Sequence, residues 1–176
     1  MYTFKEGMHK KMTKALRSIY RGGHSIYVAG NGGSASLANH FVCDLAKGPR
    51  NEPNVKCALR IHSLTSNMPF MTAIANDMEY ENTILYQLEI YAKVNDMVIL
   101  ISCSGESQNI VKAANYCHEK GIMLVGMTAF FRDNTLDRLA DIKFHVDSFN
   151  YGLAENKHTE IMHKICNNYF RSFDAV

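Results

Sequence analysis

The sequence predicts an α/β protein: a three-layer sandwich with a five-stranded parallel sheet at its centre. Three observations lead there. Five short runs are β-branched or apolar, and helix-length segments separate them, which argues for parallel pairing through right-handed crossovers. Runs such as VILIS also lack polar–apolar alternation, as expected of strands buried on both faces. In chain order, a helix over 4–20 carries Phe4, Met8, Met12, Leu16 and Ile19 at helical spacing and precedes the first strand, 25–29 (SIYVA). A helix follows over 34–47, then a strand over 57–64 (CALRIHSL) and helical segments over 69–75 and 81–92. The third strand, 97–102 (MVILIS), leads into a helix over 107–120, and the fourth, 122–128 (IMLVGMT), into a short turn over 134–139. The fifth strand, 141–146 (DIKFHV), precedes a closing helix over 153–170.

Composition bounds the rest. The chain has 176 residues, 47% hydrophobic and 20% charged, which suits one domain over 1–176 whose core needs no disulfide or metal staple. Nineteen basic residues against seventeen acidic give a net charge of +2, which argues against a nucleic-acid partner. Apolar runs are far shorter than a membrane span, and the basic N-terminus lacks the apolar stretch of a signal peptide. Five cysteines without a CxxC pair suit a reducing compartment, so a cytoplasmic location is expected. Lys5, Lys10, Lys11, Lys14 and Arg17 read as a solvated helix face, and the apolar side of that helix (3–21) is a candidate for packing against another subunit.

Ligands of open α/β sheets sit beyond the carboxyl ends of the strands. After the first strand comes Gly30-Asn31-Gly32-Gly33-Ser34, running into a helix. Its glycines permit close backbone approach, and the helix end adds donors and a positive dipole. A plain strand-to-helix turn with Ser34 as N-cap is the structural alternative. After the third strand comes Ser102-Cys103-Ser104-Gly105-Glu106-Ser107. Ser102, Ser104 and Ser107 can converge with backbone amides on one anion, and with no lysine or arginine in the loop this suits a small phosphomonoester. The alternative is an N-capping serine with two bystanders. Behind the first loop, His40 and Asp44 share a helix face, either as metal chelate or acid–base pair or as an ordinary surface pair.

The GNGGS turn, the SxSGxS loop and the segment Thr72-Ala73-Ile74-Ala75-Asn76-Asp77 together resemble the sugar isomerase (SIS) domain family, and within it the phosphoheptose isomerases. GNGGS with a histidine six residues after its serine, plus a last helix bearing His-x4-His, is the more specific part, and the likeness runs over nearly the whole chain. The resemblance implies a flavodoxin-like SIS fold, a homotetramer with sites near subunit interfaces, and a divalent metal, Zn²⁺. It implies conversion of sedoheptulose 7-phosphate to D-glycero-D-manno-heptose 7-phosphate through an enediolate. By the same carry-over, Asp44 is the base and His163 the second acid–base group, while His40, Asp44, Glu155 and His163 hold the metal. Asn31, Gly32, Ser34, Asp77, Ser102, Ser104, Ser107 and Glu155 bind substrate. His158 matches a further histidine without an assigned role, and Asp77 is alternatively a helix C-cap. Two positions depart from the family: Asp44 stands for glutamate and Glu155 for glutamine. The alternatives are a non-catalytic phosphosugar-binding or regulatory protein of the replication-initiator-associating type on the same fold, and an isomerase of a different phosphosugar.

Geometry constrains the metal set. On one continuous helix, Glu155 and His163 differ by about 12 Å in height, while zinc ligands lie ~2.0–2.3 Å from the ion. Both can serve one metal only if the helix starts after Glu155 or if different subunits supply them.

Overall fold

The computed structural model describes residues 6–48 and 57–174. Five parallel strands form one sheet in the order β2-β1-β3-β4-β5: β1 (Ser25–Gly30), β2 (Arg60–Ser63), β3 (Met97–Ser102), β4 (Met123–Ala129) and β5 (Ile142–Val146). The order reverses between β1 and β3, so the loops after these two strands open at the switch point where such sheets bind ligands.

Helices cover both faces: α1 (Glu6–Gly22), α2 (Gly33–Lys47) and α7 (Tyr151–Asp174) on one, and α4 (Leu85–Tyr91), α5 (Gln108–Lys120) and α6 (Thr135–Leu139) on the other. Along β3, Met97, Ile99 and Ile101 enter the first core and Val98 and Leu100 the second. All five are fully buried, which explains a strand without polar alternation. Burying each such side chain stabilises the fold by roughly 1.5–3 kcal/mol.

Three expectations change. The second strand shrinks from 57–64 to four residues because it is an edge strand paired only with β1; Ile61 is buried while Arg60 and His62 face outward. The expected helix over 69–75 extends to α3 (Met68–Met78), stopped by the left-handed backbone of Glu79 with φ 88°, and the expected helix over 81–92 divides into a 3-10 turn (Tyr80–Asn82) and α4. The last helix starts at Tyr151, where the Asn150 side chain accepts a hydrogen bond from Leu153 N at 3.0 Å. It therefore runs unbroken through Glu155, and a start beyond that residue is ruled out.

The apolar side of α1 does not wait for another subunit. Met12, Leu16 and Ile19 are buried in this chain's own core with Ile161, Ile165 and Tyr169 of α7. Phe4 and Lys5 lie outside the described residues. No helix among the described residues is long and apolar enough to cross a membrane.

Candidate functional site

The loops after β1 and β3 line one cavity of about 330 Å³ with Asn31, Gly32, Ser34, Ser102, Ser104 and Ser107, closed on its far side by Tyr151 and Glu155. Two backbone amides expected to face an anion are spent inside the β3 loop. Gly105 N donates to Ser102 Oγ at 3.1 Å, and Glu106 N donates to Ser104 Oγ at 3.2 Å. Each hydroxyl oxygen is thus held by an amide, and with the two oxygens 3.5 Å apart one hydroxyl can donate to the other, which leaves at least one hydroxyl hydrogen to donate into the cavity. Ser107 occupies the N-cap of α5 but makes no side-chain capping bond, and Ser34 is buried inside α2, whose N-cap is Gly32. Neither serine therefore acts as a side-chain cap.

Gly105 is required twice over. Its φ is +68°, and an added Cβ would stand 1.9 Å from Asn134 Oδ1. Asn134 caps α6 through that oxygen, accepting from Asp137 N at 2.9 Å, so the loop and α6 are fitted to one another. Glu106 adds a second tie, its carboxylate accepting from Thr135 N at 2.6 Å and Thr135 Oγ1 at 2.9 Å.

Asn31 lines the cavity with its side chain tied into the protein. Its amide and that of Asn109 exchange hydrogen bonds of 2.9 and 2.8 Å, and Tyr80 OH donates to the same Asn31 oxygen at 2.8 Å. This reciprocal pair ties the β1 loop to the first turn of α5. Asn109 and Tyr80 escaped the sequence reading, because nothing local marks an asparagine two residues beyond Ser107 as the partner of one after another strand. Tyr151 escaped it too, although its place one helical turn before Glu155 could have marked it. Asp77 lies in the exposed last turn of α3, bonded to Asn76 Nδ2 at 2.8 Å, and does not line the cavity. It is not the C-cap either, which falls at Glu79.

A second group forms where α2 and α7 run side by side. Asp44 Oδ2 stands 3.4 Å from His40 Nε2 and 3.2 Å from His163 Nδ1, and the two rings meet edge-on with centroids 5.2 Å apart. One ligand atom from each lies within 4.8 Å of the others. Two donors on a common zinc ion stand at most ~4.4 Å apart, so the carboxylate contacts already have the required spacing. Two imidazoles and a carboxylate also suit a catalytic divalent metal with an open position. The donor set therefore fits a metal.

Glu155 is not part of this group. Its carboxylate presses on Gly33, where a Cβ would come within 2.3 Å of Oε1, so it faces the serine loop instead. Burial, then the Glu155 charge, pushes the Cys103 thiol in that loop up to about 11. His158, on the same helix, is fully buried and pairs through Nε2 with Thr128 O at 3.0 Å, a structural bond from α7 to the end of β4. Burial pushes its imidazole down to about 4.

Solved structures share this architecture. The phosphoheptose isomerase from Neisseria gonorrhoeae superposes with a TM-score of 0.83 over 97% of this chain and 86% of that one, at 22% identity. The enzyme of that name from Francisella tularensis gives 0.83 over 94% and 85%, at 24% identity. The SIS domain family profile matches residues 3–129, so this is a SIS-domain protein. The phosphoheptose isomerase of Aneurinibacillus thermoaerophilus is 37% identical over 155 residues, covering 88% of this chain and 75% of that one. That of Geobacter sp. (strain M21) is 33% identical over 148 residues, 84% and 74%. The chain belongs to the phosphoheptose isomerase family.

Proposed function

We propose that the protein is an aldose–ketose isomerase converting sedoheptulose 7-phosphate to D-glycero-D-manno-heptose 7-phosphate. The observation that carries this reading is the convergence of His40, Asp44 and His163 in a chain 37% identical to a phosphoheptose isomerase. The hydroxyls of Ser102, Ser104 and Ser107 hold the phosphate. The Asp44 carboxylate takes a proton from C1 of the ketose, and the electrons of that C–H bond form the C1–C2 double bond of the enediolate. His163 moves a proton between the oxygens on C1 and C2, and return of the carbon-bound proton to C2 leaves the aldehyde at C1. A divalent ion, with Zn²⁺ the best match to the donors, is held by His40, Asp44 and His163 and supplies Lewis-acid polarisation of the carbonyl.

The catalytic site is shared between copies of the chain. Asp44 lies about 15 Å along α2 from Ser34, and His163 about 12 Å along α7 from Glu155. The serine cavity contains none of His40, Asp44 and His163, whereas His163 lines a different one. A neighbouring copy that brings its serine cavity against the histidine pair would also bring its Glu155, the fourth donor that the continuous α7 withholds within one chain. Exposed Phe131, Phe149 and Leu153 beside Tyr151 offer an apolar rim for that contact. A cytoplasmic homotetramer, as in the family resemblance, fits this arrangement.

The direct test is an assay of heptose 7-phosphate formation by the wild type, Asp44→Asn and His163→Ala. Each substitution is expected to lower kcat by about 10²–10⁴-fold, the usual contribution of a general acid or base. Activity surviving both would refute the reading.

A further inference from the structure

A groove of about 910 Å³ lies between α1 and α7; it shares no residue with the serine cavity, while Lys164, Asn168 and Arg171 at one end of it also line the pocket of His163. Six cations line it: Lys10, Lys14, Arg17 and Arg21 from α1, and Lys164 and Arg171 from α7. None of the described lining residues is acidic, although the chain as a whole is nearly balanced, with 19 basic and 17 acidic residues. Positive charge is therefore concentrated here rather than spread as an ordinary solvated face.

The four α1 cations recur every three or four residues, so they form one stripe about 16 Å long. Arg17 is pinned across the two helices, donating to the Ser172 carbonyl and lying 5.0 Å over the Phe173 ring. Thr13, Ser18 and Asn168 add neutral hydrogen-bonding groups to the same walls.

We propose that this groove binds a small soluble anion carrying two or more phosphate groups, at a site separate from the serine cavity. Its volume is that of small-ligand sites, roughly 300–1,000 Å³. Its cations are spread over three turns of α1, wider than one phosphate, and guanidinium and ammonium groups from opposite walls suit adjacent phosphoryl groups. Chemistry distinguishes the two sites: neutral hydroxyls serve a monoester in one, and fixed positive charge serves an oligophosphate in the other. The proposal does not depend on the isomerase reading.

The test is calorimetric titration of the full chain with inorganic tripolyphosphate at low salt, after metal has been stripped by chelation. One ion per chain is expected, bound more tightly than orthophosphate. Lys14→Ala/Arg21→Ala is expected to weaken binding at least about tenfold, as is Lys164→Ala on the opposite wall. Ser102→Ala/Ser104→Ala is expected to bind as the wild type does, and unchanged melting of all variants shows that the fold persists. No binding by the wild type would overturn the proposal, as would binding unaffected by the groove substitutions or lost in the serine variant. Equal affinity for orthophosphate, or tighter binding of a short single-stranded DNA than of tripolyphosphate, would also overturn it.

Discussion

His158 makes the fold acid-sensitive, and the size of the effect follows from its surroundings. The side chain is fully buried on α7, its Nε2 paired with the Thr128 carbonyl at 3.0 Å, and its Nδ1 meets no hydrogen-bond partner among the described residues. Burial, with a smaller opposing contribution from the Thr128 bond and a further lowering from His145, moves its pKa from 6.5 down to about 4. The unfolded chain therefore takes up a proton near pH 6.5 that the native protein refuses until about pH 4. Stability is fully present above pH 6.5 and is lost as pH falls through that window. That gap between the unfolded and native values corresponds to about 3 kcal/mol. Urea unfolding of the wild type and of His158→Gln at pH 7 and at pH 4 measures this directly. The wild type is expected to lose about 3 kcal/mol more than the variant over that interval. Parallel losses in the two proteins would refute the reasoning.

Other perturbations probe the two loops and the metal group. Gly105→Ala forces a left-handed residue, at about 1–2 kcal/mol, and displaces the Asn134 cap, worth about 1 kcal/mol more, so thermal melting should register about 2–3 kcal/mol of destabilisation. Asn109→Ala breaks the reciprocal pair with Asn31 and is expected to raise KM for the phosphosugar about tenfold or more, with kcat changed less. Treatment with a chelator should abolish isomerisation, and added Zn²⁺ should restore it; full activity in metal-free protein would rule out the metal role. Alkylation followed by peptide mass mapping should label exposed Cys43 well before Cys103, whose thiol is pushed up to about 11, or buried Cys117, pushed up to about 12.

The sheet was legible in the sequence because strands buried on both faces leave uninterrupted apolar runs, as MVILIS does over β3. The edge strand was overextended because Cys57–Leu64 is apolar beyond the four residues that pair with β1. The break between the segments 69–75 and 81–92 was legible, but the exact end of α3 at Met78 depends on the backbone angle of Glu79, which no composition rule marks. Sequence spacing identified His40 and Asp44 as neighbours, one helical turn apart. The approach of His163 was implied only by resemblance, since it depends on α2 and α7 lying side by side. The Asn31–Asn109 pair joins residues 78 positions apart, and only the fold brings them together. The cationic α1 stripe read as a solvated face because its second wall, from α7, is invisible in a single helix pattern.

The central claim is that one catalytic site takes its serine cavity from one copy and its His40, Asp44 and His163 group from another. Complementation tests it most directly. Ser102→Ala/Ser104→Ala and Asp44→Asn chains carrying different affinity tags are co-expressed, and the doubly tagged assemblies are purified and assayed. Each variant alone is expected to be inactive, while the mixed assembly regains activity because some sites combine an intact serine cavity with an intact Asp44. Doubly tagged assemblies as inactive as their parents would contradict the account and return the whole site to a single chain.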